Sequence, residues 1–538
     1  MTTNALVIRG GTVVDGSGSP EQPADVLVEG ETITAVQAGL HVPPDAAVID
    51  ASDRHVLPGF IDVHSHDDVA ALKPGFLDPK LRQGVTLNVV GNCGHGCAPV
   101  CAEAELTSYS APILGRVPVA MKWRSFPDYL AAIDASARTT NVAALVPHGP
   151  LRASVVGIER RTATRTETAR MCAILDEALD AGAAGLSLGL MYPPGNAAGE
   201  DELTALARVV ARREKLLVAH LRNEADAILT SLQELAHLAK RSGCAVHVSH
   251  LKVTSPANHG RMPEVLDTLD ALRAEGVDVT ADVYPYDAGS TTAASLFPPW
   301  TADRGLTSLL AALDEPAMRR QVVDDLQRPW VELENYFLTI GPERIRLIGF
   351  TLPEYQRFEG WSLADVAHAQ DAPAAECLAD LVLAEHGGLS VVLFQMAESD
   401  IRTALAWPWT MVGSDGLPLD HGSVHPRLYG TFPRVLSKYV AEPGLGFVEA
   451  VRRMTALPAS RFGLGRRGLV APGHAADLVV VNRSRLADRA TYNTPRVFPE
   501  GIDAVLVGGR LAWSPAGGIV SNGRLIRAEV TGSSLPGR

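Results

Sequence analysis

The 538-residue sequence predicts an α/β protein: a TIM-like (β/α)8 barrel, a small β domain built from both termini, and a lid subdomain inserted before the eighth barrel strand. Three features predict it. Short apolar runs alternate with helix-like stretches rich in Ala, Leu, Glu and Arg through the middle of the chain. There are eight such runs, the number that closes a parallel barrel. Both ends of the chain instead carry short strand patterns punctuated by Gly, Pro and Asp.

Within the first 57 residues, strand-like segments fall at Ala5–Ile8, Thr12–Val14, Asp25–Val28 and Ile33–Val36. The opening residues lack the basic, apolar, small-residue order of a signal peptide, and the pattern turns at Gly10-Gly11. The same pattern returns after residue 465, clearest at Ala476–Val481, Ala504–Val507 and Arg510–Trp513. Residues 1–57 and 465–538 therefore read as one domain, with the barrel spanning 58–464. The barrel runs are Phe60–His66, Val85–Val90, Ala143–His148, Ala184–Leu190, Leu216–Leu221, Ala245–Leu251, Val279–Tyr284 and Thr410–Ser414. Their starts lie 25, 58, 41, 32, 29, 34 and 131 residues apart. Most intervals suit one strand–helix unit, but the last must contain an insertion, expected at about residues 287–348. Pro298-Pro299-Trp300 and the mixed pattern around it read as a lid over the barrel mouth.

Hydrophobic residues are 46% and charged residues 20% of the chain, near globular averages, which excludes wholesale disorder. Lys and Arg total 48 against 61 Asp and Glu, and the net charge of −13 argues against nucleic-acid or anionic-membrane partners. No apolar run reaches the roughly 18 residues of a membrane span. Six cysteines are too few for a disulfide scaffold and fit a reduced, cytoplasmic setting. Homo-oligomerisation is left open.

Barrel enzymes work at the C-terminal ends of their strands. Here the first run ends in His64-Ser65-His66, and residues at i and i+2 of a strand project to one face. The second leads into Gly91-Asn92-Cys93-Gly94, the fifth into His220, the sixth into His250, and the eighth into Asp415. Any one of these alone is more often a packing thiol or a satisfied imidazole than a ligand. Five strand ends of one barrel carrying His, Cys or Asp are hard to reconcile with packing alone. Thiolate with imidazole selects zinc over magnesium or calcium. Zinc would lower the pKa of bound water from ~15.7 toward 7, providing a nucleophile near neutral pH. His64, His66, Cys93, His220, His250 and Asp415 could hold one ion with spares, or two ions bridged by Cys93.

His64-Ser65-His66, His220, His250 and Asp415 resemble the amidohydrolase superfamily. More narrowly, Gly91-Asn92-Cys93-Gly94, the segment Gly185–Gly195, His220-Leu221-Arg222-Asn223-Glu224, Val283-Tyr284-Pro285-Tyr286 and His425-Pro426-Arg427 resemble the N-acyl-D-amino-acid deacylase family. The resemblance runs nearly end to end, including the returning β segment Gly473–Val480. Many superfamily members bridge two metals with a carboxylated lysine on strand four, but this chain has no lysine between Lys122 and Lys215. The resemblance implies a tight zinc site of Cys93, His220 and His250, with His64, His66 and Asp415 around a second, weaker or vacant position. It implies that Asp415 is the general base, taking a proton from the attacking water and passing it to the leaving amine. It also implies that Lys252, Arg427, Tyr284 and Ser290 hold the substrate carboxylate, and that Tyr192 lines the acyl pocket. The expected substrate is a small N-acyl-D-amino acid, cleaved to carboxylate and free amino acid.

Two alternatives stand beside this reading. A cyclic-amide hydrolase, of the hydantoinase or dihydropyrimidinase kind, would use the same scaffold, but Lys252 with Arg427 favours a free carboxylate. A catalytically silent binding homologue is disfavoured by retention of all six candidate ligands. His95 reads as a pocket residue, Cys97 and Cys101 as packing thiols, and His148 and His247 as strand residues that are either structural or placed behind the ligands. Thr291–Leu296 supplies no cation for an acidic substrate side chain, the next arginine being Arg304.

Overall fold

The computed structural model describes residues 5–99, 110–115, 123–330, 333–441 and 444–529. The barrel strands are β1 (Phe60–Asp62), β2 (Val85–Val90), β3 (Asn141–Ala144, continued by Val146–Pro147), β4 (Gly185–Gly189), β5 (Leu216–His220), β6 (Ala245–Val248), β7 (Val279–Val283) and β8 (Thr410–Val412). Neighbours from β1 through β8 pair in parallel in chain order. Closure of β8 on β1 comes just beyond their ends, where Ser65 bridges Gly416 and the Asp415 N–H donates to the His64 carbonyl at 2.7 Å. Gly413 permits this approach, since a Cβ there would collide with that of His64.

Several strands stop short of their apolar runs. β1 ends at Asp62 and β6 at Val248, so His64, His66 and His250 stand on irregular backbone beyond the ladder rather than on the strands themselves. His148 is not on a strand either, and opens the helix His148–Val156.

Helices such as Arg165–Asp180 and Ile228–Ser242 cover the outside of the barrel. Thr164 and Glu167 form a capping box that starts the first, and Gly243, left-handed at φ 76°, ends the second. Inside the barrel, Ile61, Val63, Leu87, Val89, Val218 and Met411 belong to one packed cluster. Ile526 and Ala528, near the chain's end, belong to it as well.

Both termini build one nine-stranded sheet. Its seam is the antiparallel pairing of His55–Pro58 with Leu478–Val481. The insertion has its own three-stranded antiparallel sheet, in which Ser390–Phe394 lies between Ala288–Thr292 and Ile345–Ile348. It therefore continues past the expected limit near residue 348, because the central strand of that sheet arrives last. Its core includes Leu309, Val322, Leu347 and Val391 and is continuous with Cys93, Met191 and Tyr192 at the barrel mouth. Among the described residues, no helix is long and apolar enough to cross a membrane.

Candidate active site and metal centre

Three of the expected ligands have left-handed backbone: Cys93 at φ 53°, His250 at φ 35° and Asp415 at φ 51°. L-residues rarely adopt this region without compensation from their surroundings. Glycines supply part of it. Gly94 lies against β4, where a Cβ would come 2.7 Å from the Gly189 nitrogen.

The donor atoms converge in three buried groups, each within 4.8 Å: His64–Cys93–His250, His64–His66–Asp415 and His220–Glu224–His250. The Cys93 Sγ lies 3.2 Å from both His64 Nε2 and His250 Nε2. Asp415 Oδ1 is 3.0 Å from His66 Nε2 and 3.5 Å from His64 Nε2. All six ligands expected from the sequence thus meet, with His64 and His250 each shared between groups. Cys93 and His220 do not fall in one group but are linked through His250, whose ring centroid is 4.4 Å from that of His220. The donor set fits a metal ion. His220 is buried, yet neither of its ring nitrogens is hydrogen-bonded, a cost of about 1–3 kcal/mol per lost partner that a ligated cation would remove.

Sequence reading missed the carboxylates behind these ligands. Asp282, on β7, takes His64 Nδ1 at 3.2 Å and His247 Nε2 at 2.9 Å, and accepts the His250 N–H at 3.0 Å. Glu224 lies 3.1 Å from His250 Nδ1 and 2.6 Å from Lys252 Nζ. Such carboxylates orient imidazoles and leave the other ring nitrogen for a metal. Glu224 stood in the quoted His220–Glu224 motif without a role. No local signal marks Asp282, a mid-strand aspartate.

Burial lowers His220 and His250 well below the ordinary imidazole range, which keeps them in the neutral form that binds metal. Burial raises the Cys93 thiol. It also opposes the charge on Asp415, but Arg427 and His64 outweigh it and hold that carboxyl well below its usual range. Asp415 is therefore ionised.

One cavity opens onto these groups. Lys252, Tyr284, Ser290 and Tyr192 all line it. The Tyr284 hydroxyl and Ser290 Oγ are buried without hydrogen-bond partners, and burial pushes the Tyr284 phenol up to about 12, so it keeps its proton. Arg427 stands behind the lining. Its guanidinium pairs with Asp415 Oδ2 at 2.8 Å, donates to the Ser290 carbonyl at 3.1 Å and lies 4.7 Å from the Tyr284 ring centre. Gln395 and His95 also line the cavity. Gln395 comes from the end of the insertion's central strand, which the sequence did not place near the mouth. Away from the site, His148 pairs with Glu202 at 2.9 Å. Cys97 is a buried free thiol, and Cys101 lies outside the described residues.

Residues 47–329 and 353–512 match the amidohydrolase family model. The chain is 37% identical to the N-acyl-D-glutamate deacylase of Alcaligenes xylosoxydans xylosoxydans, over 99% of this chain and 98% of the relative. It is 34% identical to the D-aminoacylase of the same organism, over 94% of each. Among solved structures, the N-acyl-D-glutamate deacylase of Bordetella bronchiseptica, complexed with zinc and a phosphonate mimic of the tetrahedral intermediate, superposes with a TM-score of 0.83 at 36% identity, covering 98% of this chain and 100% of that one. With barrel, returning β domain and site shared at this level, the chain belongs to the N-acyl-D-amino-acid deacylase family of the amidohydrolases.

Proposed function

We propose that this chain is a zinc-dependent hydrolase that cleaves N-acyl-D-amino acids to a carboxylate and the free D-amino acid. One juxtaposition carries the reading: a Cys/His/Asp donor set and the carboxylate-binding groups Lys252, Tyr284 and Ser290 face a single cavity. Cys93, His220 and His250 would hold the tight zinc, with Glu224 near the latter two. His64, His66 and Asp415 would surround a second, weaker position. Zinc, when bound, supplies Lewis acidity at the scissile carbonyl and lowers the pKa of water.

Asp415 is the proton carrier. Its ionised Oδ1 takes a proton from the attacking water, whose oxygen adds to the acyl carbon. As the C–N bond breaks, the same oxygen returns the proton to the amine nitrogen. Arg427 holds Oδ2 at 2.8 Å and so fixes the carboxylate's orientation. Lys252 has three N–H donors. Glu224 pairs with the ammonium at 2.6 Å, which leaves N–H donors for the substrate carboxylate beside Tyr284 and Ser290. A hydantoin or dihydropyrimidine has no such carboxylate and would leave these donors unmatched.

Among the described lining residues, Lys252 is the single Lys or Arg, and Ile113, Leu393 and Leu417 supply apolar surface. A neutral side chain on the amino acid fits this lining better than an acidic one. The five described cysteines are all free thiols, which suits a reducing, cytoplasmic setting.

Elemental analysis beside a panel of N-acetyl-D- and N-acetyl-L-amino acids tests the reading. We expect at least one zinc per chain, hydrolysis of the D series, and a faster rate with D-leucine or D-methionine than with D-glutamate. A metal-free enzyme with full activity, or no turnover of any D substrate, would overturn it.

A further inference from the structure

The deacylase reading gives work to the orphaned hydroxyls of Tyr284 and Ser290 but leaves another buried polar atom of the same cavity unused. His95 is 4% exposed and lines the cavity, and its Nε2 has no hydrogen-bond partner. Its other nitrogen, Nδ1, is tied to Ser110 Oγ at 3.1 Å. The ring is held edge-on to Tyr192, with centroids 4.6 Å apart, and lies 6.3 Å from the ring of His66. The side chain is thus anchored at one nitrogen and leaves the other free. Buried polar atoms in native proteins are nearly always satisfied, and exceptions call for a partner that binds there.

Position in the cavity says which part of a substrate would meet it. Lys252, paired with Glu224 at 2.6 Å, marks the flank that takes the α-carboxylate. His95 sits on the flank of His66 and Tyr192. With the scissile carbonyl at the donor set between them, the amino acid's carboxylate and side chain both leave from Cα on the Lys252 flank. The arm that reaches His95 is the acyl chain.

We propose that His95 Nε2 is a specificity element for the acyl group, binding a polar atom next to the scissile carbonyl, so that the preferred substrates carry a hydroxyacyl-type chain rather than a plain alkyl one. A hydroxyl both donates and accepts, so it satisfies either tautomer of the ring. An alkyl chain would strip water from Nε2 and return nothing.

This inference rests on the deacylase reading, and the test separates the two. N-hydroxyacetyl-D-leucine and N-propionyl-D-leucine are near-isosteric and differ by hydroxyl against methyl. The wild-type enzyme is expected to favour the hydroxyacetyl substrate in kcat/KM by about tenfold, the size of one buried hydrogen bond. His95→Leu should erase or invert that ratio, and His95→Gln, which keeps a hydrogen-bonding group, should restore part of it. Zinc content and circular dichroism report whether the variants remain folded and loaded. A wild-type ratio near one, or an unchanged ratio in folded His95→Leu, overturns the acyl assignment while leaving deacylation intact. Failure to hydrolyse both test substrates and every member of the N-acetyl-D-amino-acid panel overturns the deacylase reading and this inference with it.

Discussion

Asp415 shows how much of a residue's chemistry lies outside its own position. One oxygen faces His66 and His64, and the other is held by Arg427. Asn keeps the size and one oxygen but cannot accept a proton. Asp415→Asn should therefore retain zinc and bind substrate while kcat falls by the ~10²–10⁴ of a lost general acid–base group. Turnover and bound zinc, each measured with and without added zinc, decide the role. Turnover within a few-fold of the parent would remove Asp415 from the mechanism, and rescue by zinc would make it a ligand instead. The sequence marked Asp415, His64 and His66 because strand-end position and residue type are local properties. It could not show that Arg427, expected at the substrate carboxylate, spends its charge on Asp415, since a pairing across 12 residues of irregular chain has no local signature.

At the scale of elements, the insertion and the barrel meet through buried polar groups. Glu334, from the insertion, is 5% exposed and accepts the Thr254 hydroxyl beyond β6. Burial, aided by the nearby charge of Glu224, pushes its carboxyl up to about 8, whereas an unfolded chain leaves it near 4.3. Between those values the native state holds a proton that the unfolded state has released. Stability therefore falls as pH rises through this window and levels off above it. Glu334→Gln removes the titration, so the variant should gain on the parent from pH 5 to pH 8.5, as read by denaturant midpoints at the two pH values. Parallel pH profiles would show that Glu334 titrates normally. The periodicity of the chain revealed that an insertion exists but misplaced its end, because the strand Ser390–Phe394 pairs only with strands inside the insertion itself.

Across the whole molecule, the chain's last described residues close the bottom of the barrel. Val142 donates to the Arg524 carbonyl at 2.9 Å, Ile526 to that of Val142 at 2.7 Å, and Ala528 to that of Gly182 at 2.9 Å. Lys215 Nζ, on a residue 7% exposed, reaches the carbonyls of Ala528 and Glu529 at 2.6 and 2.7 Å. Ending the chain at Val520 would take Ile526 and Ala528 from the cluster that holds Leu87 and Val218, and would remove the two carbonyl partners of the Lys215 ammonium, hydrogen bonds to a charged group worth about 1.5–3 kcal/mol each. The truncated enzyme should melt several degrees lower in calorimetry even with zinc bound. An unchanged Tm would make the tail an appendage. The C-terminal strands were legible in the sequence, but the role of residues 524–529 was not, since nothing in a polar, strand-poor segment says which carbonyls it will meet. By itself the sequence determined the eight-stranded barrel, the shared β domain, the insertion and six side chains of metal-binding type, all of which rest on periodicity and on residue type at strand ends. Only the tertiary structure decided the carboxylates Asp282 and Glu224 behind the histidines, the Arg427–Asp415 pair, the orphaned His95 and the plugged barrel floor. Each of those depends on two segments distant in the chain meeting in a low-dielectric interior, where a partner's position sets a group's charge and purpose.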